Sequence, residues 1–302
     1  MRILITGGFG HIGSALLAHL IKDKKIKEII VIDNFISNRF NSYINISKKK
    51  LRVFNEDVLN FNFDKLDKIV DCVIHLAAIT NAEKSFEHEA KVLKNNLNGT
   101  RKIAEFVKKN NLGLIFASST SVYGNQFKVI NSKNNLGYLN PQSPYAKSKI
   151  LEEELIQSKL KKYCIMRFGT ISGLSDGIRF HTAVNKFCYQ AAFNKPLSIW
   201  TKFYRKKRPY LSLVDCVNSI QFVIKKKLFN QILFDVVTEN LKVIEIVEEI
   251  KKYKKIKINY VQTRMLNQFS YEVHSDKIIS YGFKFKGKIF KDIKNLLKNL
   301  IC

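Results

Sequence analysis

The sequence of 302 residues contains few acidic residues, few cysteines and no long apolar run. Because no apolar run reaches the roughly 18 residues that span a bilayer, the sequence predicts no transmembrane helix. No charged-then-apolar leader precedes the first strand-like run, which follows Met1 directly, so we expect a cytoplasmic protein. Internal repeats, low-complexity tracts and linkers rich in Pro, Gly and Ser are also absent from the sequence, which favours continuous globular structure.

The cysteines show no Cys-x-x-Cys spacing. They are Cys72, Cys164, Cys188, Cys216 and Cys302. The first two lie in apolar strand-like runs, where a thiol is usually only a small core group. We therefore expect reduced thiols and no metal.

Basic residues outnumber acidic residues by 52 to 25, which gives a formal net charge of +27. A basic surface can bind nucleic acid through the release of counterions. The lysines, however, are spread over the whole chain and accompany abundant Ile and Asn, and the codons of all three residues are rich in A and T. Genome composition is the simpler explanation, so we expect no nucleic-acid partner, although the positive field would attract an anionic substrate.

Short β-branched runs alternate with helical patterns in the first half of the chain, which predicts a parallel sheet covered by helices. The predicted strands are Arg2–Thr6, Glu28–Ile32, Leu51–Phe54, Cys72–His75, Leu114–Ala117, Tyr163–Phe168, Tyr210–Leu213 and Ile232–Val236. We expect the last two strands to return toward the first sheet. The predicted helices are Ile12–Lys22, Glu87–Lys109, Pro144–Lys159, Asp176–Asn194, Lys242–Lys252 and Ile289–Leu300.

A glycine-rich segment connects the first predicted strand to the first predicted helix. Gly7, Gly10 and Gly13 have the spacing that allows a tight turn, close approach to a pyrophosphate and close packing of helix on strand. Asp33 ends the second predicted strand, twenty residues after Gly13. A carboxylate there accepts hydrogen bonds from the adenosine ribose and repels a 2′-phosphate, so the pattern favours NAD.

These features predict an α/β fold of the Rossmann type, with a doubly wound parallel sheet. Residues 1–170 are predicted to form the NAD-binding domain, with a return segment near 210–236. Residues 171–302 are predicted to form mainly a smaller C-terminal α/β substrate-binding domain.

A tyrosine and a lysine at the start of the predicted helix Pro144–Lys159 are candidates for catalysis. Tyr145 and Lys149 are four residues apart and share a helix face. A tyrosine hydroxyl is ordinarily a poor base at neutral pH, but an adjacent ammonium stabilises the phenolate. By itself, a tyrosine four residues before a lysine could be an exposed pair on an ordinary amphipathic helix. Here a hydroxyl-rich segment, residues 118–124, follows the preceding strand, which favours an oxidoreductase site.

The chain resembles the extended short-chain dehydrogenases/reductases, a family of epimerases and dehydratases that act on nucleotide sugars. The motifs that carry the resemblance are the glycine segment, Asp33-Asn34, Asp57-Val58, His75-Leu76-Ala77-Ala78, Asn96-Leu97-Asn98-Gly99-Thr100, Ser118–Gly124 and Pro144-Tyr145-Ala146-Lys147-Ser148-Lys149. They follow the family's order and cover roughly the first 170 residues.

The resemblance implies a role for each motif residue. The implied catalytic residues are Ser119, which hydrogen-bonds the reacting oxygen, Tyr145, the base, and Lys149, its partner. The implied NAD-binding residues are Gly7, Gly10, His11, Ile12, Gly13, Asp33, Asn34, Asp57, Val58, Leu76, Ala77, Ala78, Asn96, Ser118, Tyr145, Lys149 and Phe168. The implied substrate-binding residues are Thr80, Ser119, Thr120, Tyr145, Thr170 and Arg208.

The later half of the chain resembles the family less specifically. The segment from Arg208 to Asp215 is similar to one in which an arginine grips the substrate diphosphate, although a solvated basic turn would explain it as well. After Phe168 many family members have an Asn, where this chain has Gly169-Thr170-Ile171. The nucleotide base and the sugar therefore remain open.

The resemblance implies oxidation of a nucleotide-diphosphate sugar at C4, and a 4-epimerase is the first interpretation. A C4 dehydrogenase or 4-keto reductase for a hexose or heptose is the alternative. A 4,6-dehydratase is disfavoured because Thr120 and Ser121 stand where dehydratases commonly have acidic residues. A non-catalytic NAD-sensing or nucleic-acid-binding protein is disfavoured by the intact catalytic residues. We also expect no membrane partner and a homodimer, paired through Glu87–Lys109 and Pro144–Lys159 as is usual in the family.

Overall fold

Helices and strands alternate along the residues described in the computed structural model, which are 1–37, 39–66, 70–124, 129–131, 139–201, 204–261 and 271–301. The helices are α1 (His11–Leu20), α2 (Phe40–Ile44), α3 (Glu89–Lys109), α4 (Pro144–Lys159), α5 (Ala183–Ala192), α6 (Leu213–Lys226), α7 (Val243–Lys251), α8 (Asp276–Ser280) and α9 (Ile289–Leu300). The strands are β1 (Arg2–Thr6), β2 (Glu28–Ile32), β3 (Leu51–Phe54), β4 (Cys72–His75), β5 (Gly113–Ser119), β6 (Val129–Asn131), β7 (Tyr163–Phe168), β8 (Thr170–Ser172), β9 (Leu197–Trp200), β10 (Lys207–Ser212), β11 (Ile232–Val236), β12 (Glu239–Lys242), β13 (Ile258–Val261) and β14 (Glu272–His274). Within these ranges no helix has the length and hydropathy needed to cross a membrane.

The large sheet contains seven parallel strands in the order β11-β7-β5-β4-β1-β2-β3. The chain adds β2 and β3 on one side of β1 and then crosses to β4 on the other side. Thr6 at the end of β1 pairs with Ile32 of β2 and His75 of β4, so these strands end at one edge of the sheet. Open parallel sheets bind ligands at this edge, where the strand order reverses. The predicted doubly wound α/β fold is confirmed.

The strands of the large sheet are apolar on both faces because helices cover both sides. On one face, Ile3 and Ile5 of β1 belong to a buried cluster with α1 and α6. On the other face, Leu4 belongs to a second cluster with α3 and α4. Burial of each such side chain stabilises the fold by roughly 1.5–3 kcal/mol. This packing fixes the strand ends, and therefore the residues that follow them.

Apart from β11, α6 and α8, which belong to the large sheet and its core, the elements after β7 form smaller sheets and a separate helical cluster. A three-stranded sheet has the order β12-β10-β8, while β13 pairs with β9 and β14 with β6. Helices α5, α7 and α9 bury a third apolar cluster that includes Phe187, Ile246 and Ile293. These elements supply the second wall of the cavity described below.

Two predictions for this later part of the chain are wrong. Ile232–Val236 joins the large sheet beside β7 as expected, but Lys207–Ser212 does not. It pairs with β8 and β12, because the chain passes from β7 directly into β8 and offers β10 a parallel partner there. The helix predicted over Asp176–Asn194 is limited to Ala183–Ala192, since residues 173–182 instead form a loop against the glycine segment.

The cysteines within the described ranges are buried free thiols. They are Cys72, Cys164, Cys188 and Cys216. Burial raises the pKa of Cys72 to about 12, so its thiol stays protonated near neutral pH. Cys302 lies outside the described residues.

Candidate active site

The glycine loop, residues 7–13, joins β1 to α1 at the carboxyl edge of the large sheet. Gly7 has a φ of 68°, and a Cβ atom there would lie 2.7 Å from the Ala77 backbone nitrogen. A Cβ atom on Gly13 would lie 2.5 Å from the Gly8 carbonyl oxygen. Both positions therefore require glycine. The first N–H groups of α1 have no side-chain cap, and such a helix end suits the pyrophosphate of NAD.

Asp33 at the end of β2 fixes the shape of this loop. Its carboxylate accepts hydrogen bonds from the backbone N–H groups of Phe9 and Phe35, both at 2.9 Å. The neighbouring Asn34 side chain donates to Asp57 Oδ2 at 2.8 Å. Hydrogen bonds among Asp33, Asn34, Asp57 and the neighbouring backbone therefore fix the part of the site that is predicted to bind adenosine.

A cavity of about 340 Å³ lies between the carboxyl edge of the large sheet and the elements after β7. The predicted site residues that line it are Gly7, Gly10, His11, Ile12, Gly13, Leu76, Ala78, Thr80, Ser118, Ser119, Tyr145, Lys149, Phe168, Thr170 and Arg208. The glycine loop, the hydroxyl-rich segment and the start of α4 are therefore brought together around one space.

The remaining predicted site residues stand outside this lining. They are Asp33, Asn34, Asp57, Val58, Ala77, Asn96 and Thr120. Asn96 shows how such a residue contributes, because its side chain accepts from Ile79 N–H at 2.8 Å and donates to Ser148 Oγ at 3.1 Å. It holds the loop after β4 against α4.

Tyr145 and Lys149 lie in the first turns of α4, whose start is well defined. Pro144 occupies the first turn, and the Ser143 side chain accepts a hydrogen bond from Ala146 N–H at 3.1 Å. Lys149 Nζ lies 5.9 Å from the centre of the Tyr145 ring and 4.5 Å from that of Phe116. Lys149 Nζ and the Tyr145 ring therefore lie beside each other at the wall of the cavity.

A buried polar chain lies beneath Lys149. Glu152 Oε2 is 3.2 Å from Lys149 Nζ and accepts a hydrogen bond from Thr100 Oγ1 at 2.7 Å. Thr100 Oγ1 is 3.1 Å from His75 Nε2, and His75 Nδ1 is 2.6 Å from Thr6 Oγ1. Burial and the charge of Lys149 lower the pKa of His75 to about 3, so its ring is neutral. His75 is thus a satisfied buried residue that links α4 to β1.

A second buried network fixes the end of β5. Arg167 donates from Nε to Glu153 Oε1 at 2.9 Å and from Nη1 to the Tyr123 hydroxyl at 2.8 Å. Tyr123 donates to Asp235 Oδ1 at 2.7 Å, and Ser118 donates to Glu153. The Ser118 hydroxyl is therefore engaged with Glu153 in this structure, although the residue lines the cavity.

The hydroxyl-rich segment after β5 places Ser119 at the cavity wall. Ser119 Oγ accepts a hydrogen bond from Ser121 N–H at 3.2 Å. Ser121 also lines the cavity, and its Oγ is buried without a hydrogen-bond partner among the described residues. Thr120 is only 2% exposed, because the segment turns its side chain inward. Ser121 therefore lines the cavity, whereas Thr120 does not.

Several polar side chains of the site are not among the residues for which the family resemblance implies a role. Glu83, Arg179 and His181 line the cavity, and Glu152 contacts Lys149. Glu83 and His181 carry no local motif, and the region of Arg179 was predicted as helix. The spacing of Glu152 three residues after Lys149, on the same helix, was the available signal for that residue.

The glycine loop, the Tyr145–Lys149 pair and the doubly wound sheet define an NAD-dependent enzyme of the extended short-chain dehydrogenase/reductase family. Residues 3–232 match the sequence model of the NAD dependent epimerase/dehydratase family. The chain belongs to that family, and NAD is its cofactor.

Two relatives are similar in sequence over about three quarters of the chain. A dTDP-D-glucose 4,6-dehydratase of Dictyostelium discoideum is 32% identical over 74% of this chain and 56% of its own length, so the chain spans little more than half of that protein. A protein of Bacillus subtilis (strain 168) with the description "Uncharacterized UDP-glucose epimerase YtcB" is 30% identical over 75% of this chain and 73% of its own length.

Solved structures share the fold over nearly the whole chain. The UDP-glucuronic acid 4-epimerase from Bacillus cereus, in complex with UDP-glucuronic acid and NAD, has a TM-score of 0.88 at 23% identity and covers 99% of this chain and 100% of its own. The UDP-glucose 4-epimerase of Thermus thermophilus, in complex with NAD, has a TM-score of 0.85 at 21% identity, with 99% of each chain covered.

Proposed function

We propose that the protein is a nucleotide-sugar 4-epimerase that oxidises its substrate at C4 of the sugar. The observation that carries this proposal is the single cavity shared by the glycine loop, Ser119, Tyr145, Lys149 and Arg208. The glycine loop suits a dinucleotide, and an arginine suits the diphosphate of a second nucleotide. The names of the Bacillus subtilis relative and of the solved epimerases add support.

In the proposed mechanism, Tyr145 removes the proton from the C4 hydroxyl of the sugar. The Lys149 ammonium stabilises the phenolate that makes this possible, and Glu152 holds that ammonium in place. Ser119 donates a hydrogen bond to the same substrate oxygen as it becomes a carbonyl. NAD held at the glycine loop would supply the hydride acceptor, and Tyr145 would return its proton to the C4 oxygen when the hydride returns to the opposite face of the ketone.

Arg208 on β10 is the proposed anchor for the substrate diphosphate. It lines the cavity, and its guanidinium carbon lies 5.4 Å from the centre of the Tyr271 ring. Burial lowers the pKa of Arg208, but an arginine begins so far above neutral pH that it stays charged. Thr80 and Thr170 line the same cavity and are proposed to contact the sugar.

A 4,6-dehydratase is the second candidate, and Glu83 favours it. Elimination of water needs an acid and a base beside the sugar, and Glu83 is the carboxylate among the described residues that line the cavity. The Dictyostelium relative is named for this activity. Against it, Thr120 and Ser121 follow Ser119, and neither hydroxyl readily acts as an acid at neutral pH.

The test is incubation of the purified enzyme with UDP-, GDP-, CDP- and dTDP-linked hexoses and heptoses, followed by mass spectrometry and NMR. We expect a product of unchanged mass with inverted configuration at C4. A product lighter by one water would show a dehydratase. A loss of two hydrogens with stoichiometric NADH formation would show a C4 dehydrogenase.

We also propose that the protein is a homodimer paired through α3 and α4. These two helices pack against each other along one side of the large sheet, and Leu151 of α4 is 40% exposed. Light scattering should give twice the mass of the chain, and Leu151→Lys should shift the protein toward the monomer. A monomeric wild-type protein at micromolar concentration would contradict this arrangement.

A further inference from the structure

The loop between β8 and α5, residues 173–182, is attached to the glycine loop and the first turn of α1. The Ser175 hydroxyl donates to the His11 carbonyl oxygen at 3.0 Å, and Gly177 N–H donates to Ser14 Oγ at 3.1 Å. His11 Nε2 lies 2.8 Å from the Gly173 carbonyl oxygen. This loop therefore has a fixed position beside the amino end of α1.

Arg179 extends from this loop to the glycine loop. Its Nη1 donates a hydrogen bond to Thr80 Oγ1, and its Nη2 lies 3.4 Å from the position that a Cβ atom on Gly10 would take. Its Nε is buried and has no hydrogen-bond partner among the described residues. The backbone is held as well, because Asn185 Nδ2 donates to the Arg179 carbonyl oxygen at 3.0 Å. A guanidinium with unused donors is thus held directly over Gly10.

Within the described part of the chain, no carboxylate forms an ion pair with this guanidinium. Burial, and then the charge of Arg39, lower the pKa of Arg179 to about 10, so the side chain remains a cation at neutral pH. Asp33 is a carboxylate whose charge acts on Arg179, but both of its oxygens accept hydrogen bonds from the backbone N–H groups of Phe9 and Phe35. Arg179 is partly buried, and a partly buried cation without a contacting carboxylate is stabilised when an anion binds beside it.

We propose that Arg179 binds the pyrophosphate of NAD beside the glycine loop. The N–H groups at the amino end of α1 and the guanidinium would then both donate hydrogen bonds to the phosphates, and such bonds to an anion are strong. This inference rests on NAD as cofactor and does not depend on the sugar or on epimerisation.

A nucleotide sugar also carries a diphosphate, so the experiment must separate the two sources. Calorimetry would measure the dissociation constants of NAD, adenosine and UDP for the wild-type protein, Arg179→Met, Arg179→Lys and the control Arg208→Met. We expect Arg179→Met to weaken NAD binding about tenfold or more. We expect Arg179→Lys to restore part of the affinity, and the loss to shrink at high salt.

Adenosine, which lacks the pyrophosphate, should bind Arg179→Met as it binds the wild-type protein. UDP binding should be weakened by Arg208→Met and not by Arg179→Met. Unchanged NAD affinity in Arg179→Met would overturn the proposal. Weaker binding of UDP alone would also overturn it, because that result would assign Arg179 to the substrate site. Equal losses of affinity for NAD and adenosine would overturn it as well, because they would indicate damage to the loop. Failure of the epimerase assay would leave these binding results intact.

Discussion

At the scale of single residues, the site depends on buried charged side chains that lie directly behind the residues lining the cavity. Lys149 is buried between the Tyr145 ring and the Glu152 carboxylate, with the neutral ring of His75 further below. Glu152 Oε1 has no hydrogen-bond partner within the described ranges. A buried carboxylate with one unsatisfied oxygen contributes poorly to stability, so its place beside Lys149 is better explained by positioning of the ammonium.

Tyr145→Phe should abolish turnover and leave NAD binding nearly unchanged. The substitution removes the proton acceptor and retains the aromatic ring that lines the cavity. Steady-state assays should show a fall of about a hundredfold or more, and calorimetry should show an NAD affinity within about twofold of wild type. Lys149→Ala should reduce both. Retention by Tyr145→Phe of more than about a tenth of the activity would rule out Tyr145 as the base.

Asp235 should make the stability of the fold depend on pH. Burial raises the pKa of Asp235 to about 7, and its Oδ2 has no hydrogen-bond partner in the described part of the chain. Because the folded-state pKa lies above the unfolded value, the contribution is full below about pH 4 and is lost as the pH rises through about 7. Asp235→Asn keeps an acceptor for Tyr123 and removes this titration.

Urea unfolding at pH 5 and pH 8 would test this claim. We expect the stability of Asp235→Asn relative to wild type to increase by about 2 kcal/mol between the lower and the higher pH. The other buried titrating groups are common to both proteins, so they cancel in the comparison. An equal difference at both pH values would mean that Asp235 is ionised throughout.

At the scale of elements, α4 carries two buried carboxylates on one turn, Glu152 toward Lys149 and Glu153 toward Arg167. Both side chains of the Glu153–Arg167 pair are only 3% exposed. Removal of one partner leaves an uncompensated buried charge, and therefore costs far more than the pair itself contributes.

Glu153→Ala should therefore reduce the free energy of unfolding by about 3–5 kcal/mol. The matched control is Glu89→Ala, which breaks the Lys147–Glu89 pair, whose side chains are 53% and 48% exposed. That loss should stay below about 1 kcal/mol because the pair is solvated. Denaturant unfolding of both variants gives the comparison, and similar small losses would show that Arg167 finds another partner.

The sequence predicts best those elements whose own pattern of apolar and polar residues shows which side chains are buried. β1 to β4, β7 and β11 lie where the apolar runs indicated, and α4 and α9 begin and end at the predicted residues. The helix expected from Asp176 begins only at Ala183, because Ser175 and Gly177 bond to His11 and Ser14, contacts that no local pattern encodes. The spacing of Tyr145 and Lys149, four apart on one helix, is a local pattern and predicts the pair from the sequence. The approach of Arg179 to Gly10 joins distant parts of the chain, so no local pattern predicts it.

At the scale of the whole molecule, the chain has a net charge of +27, and its cavity is proposed to bind two anionic nucleotides. A positive field accelerates the association of anions, and salt screens that effect. Raising the ionic strength should therefore raise the KM for the nucleotide sugar and leave kcat nearly constant. A KM that does not change with salt would show that the charge has no part in substrate capture.

In the proposed reaction, the hydride taken from C4 of the sugar returns to C4. This return is tested most directly with a nucleotide sugar deuterated at C4, once a substrate has been found in the panel. We expect an isomer of unchanged mass with the deuterium still at C4 and the configuration there inverted. Deuterium at C6 of a product lighter by one water would contradict the account in favour of a 4,6-dehydratase, and deuterium recovered in released NADH would contradict it in favour of a C4 dehydrogenase.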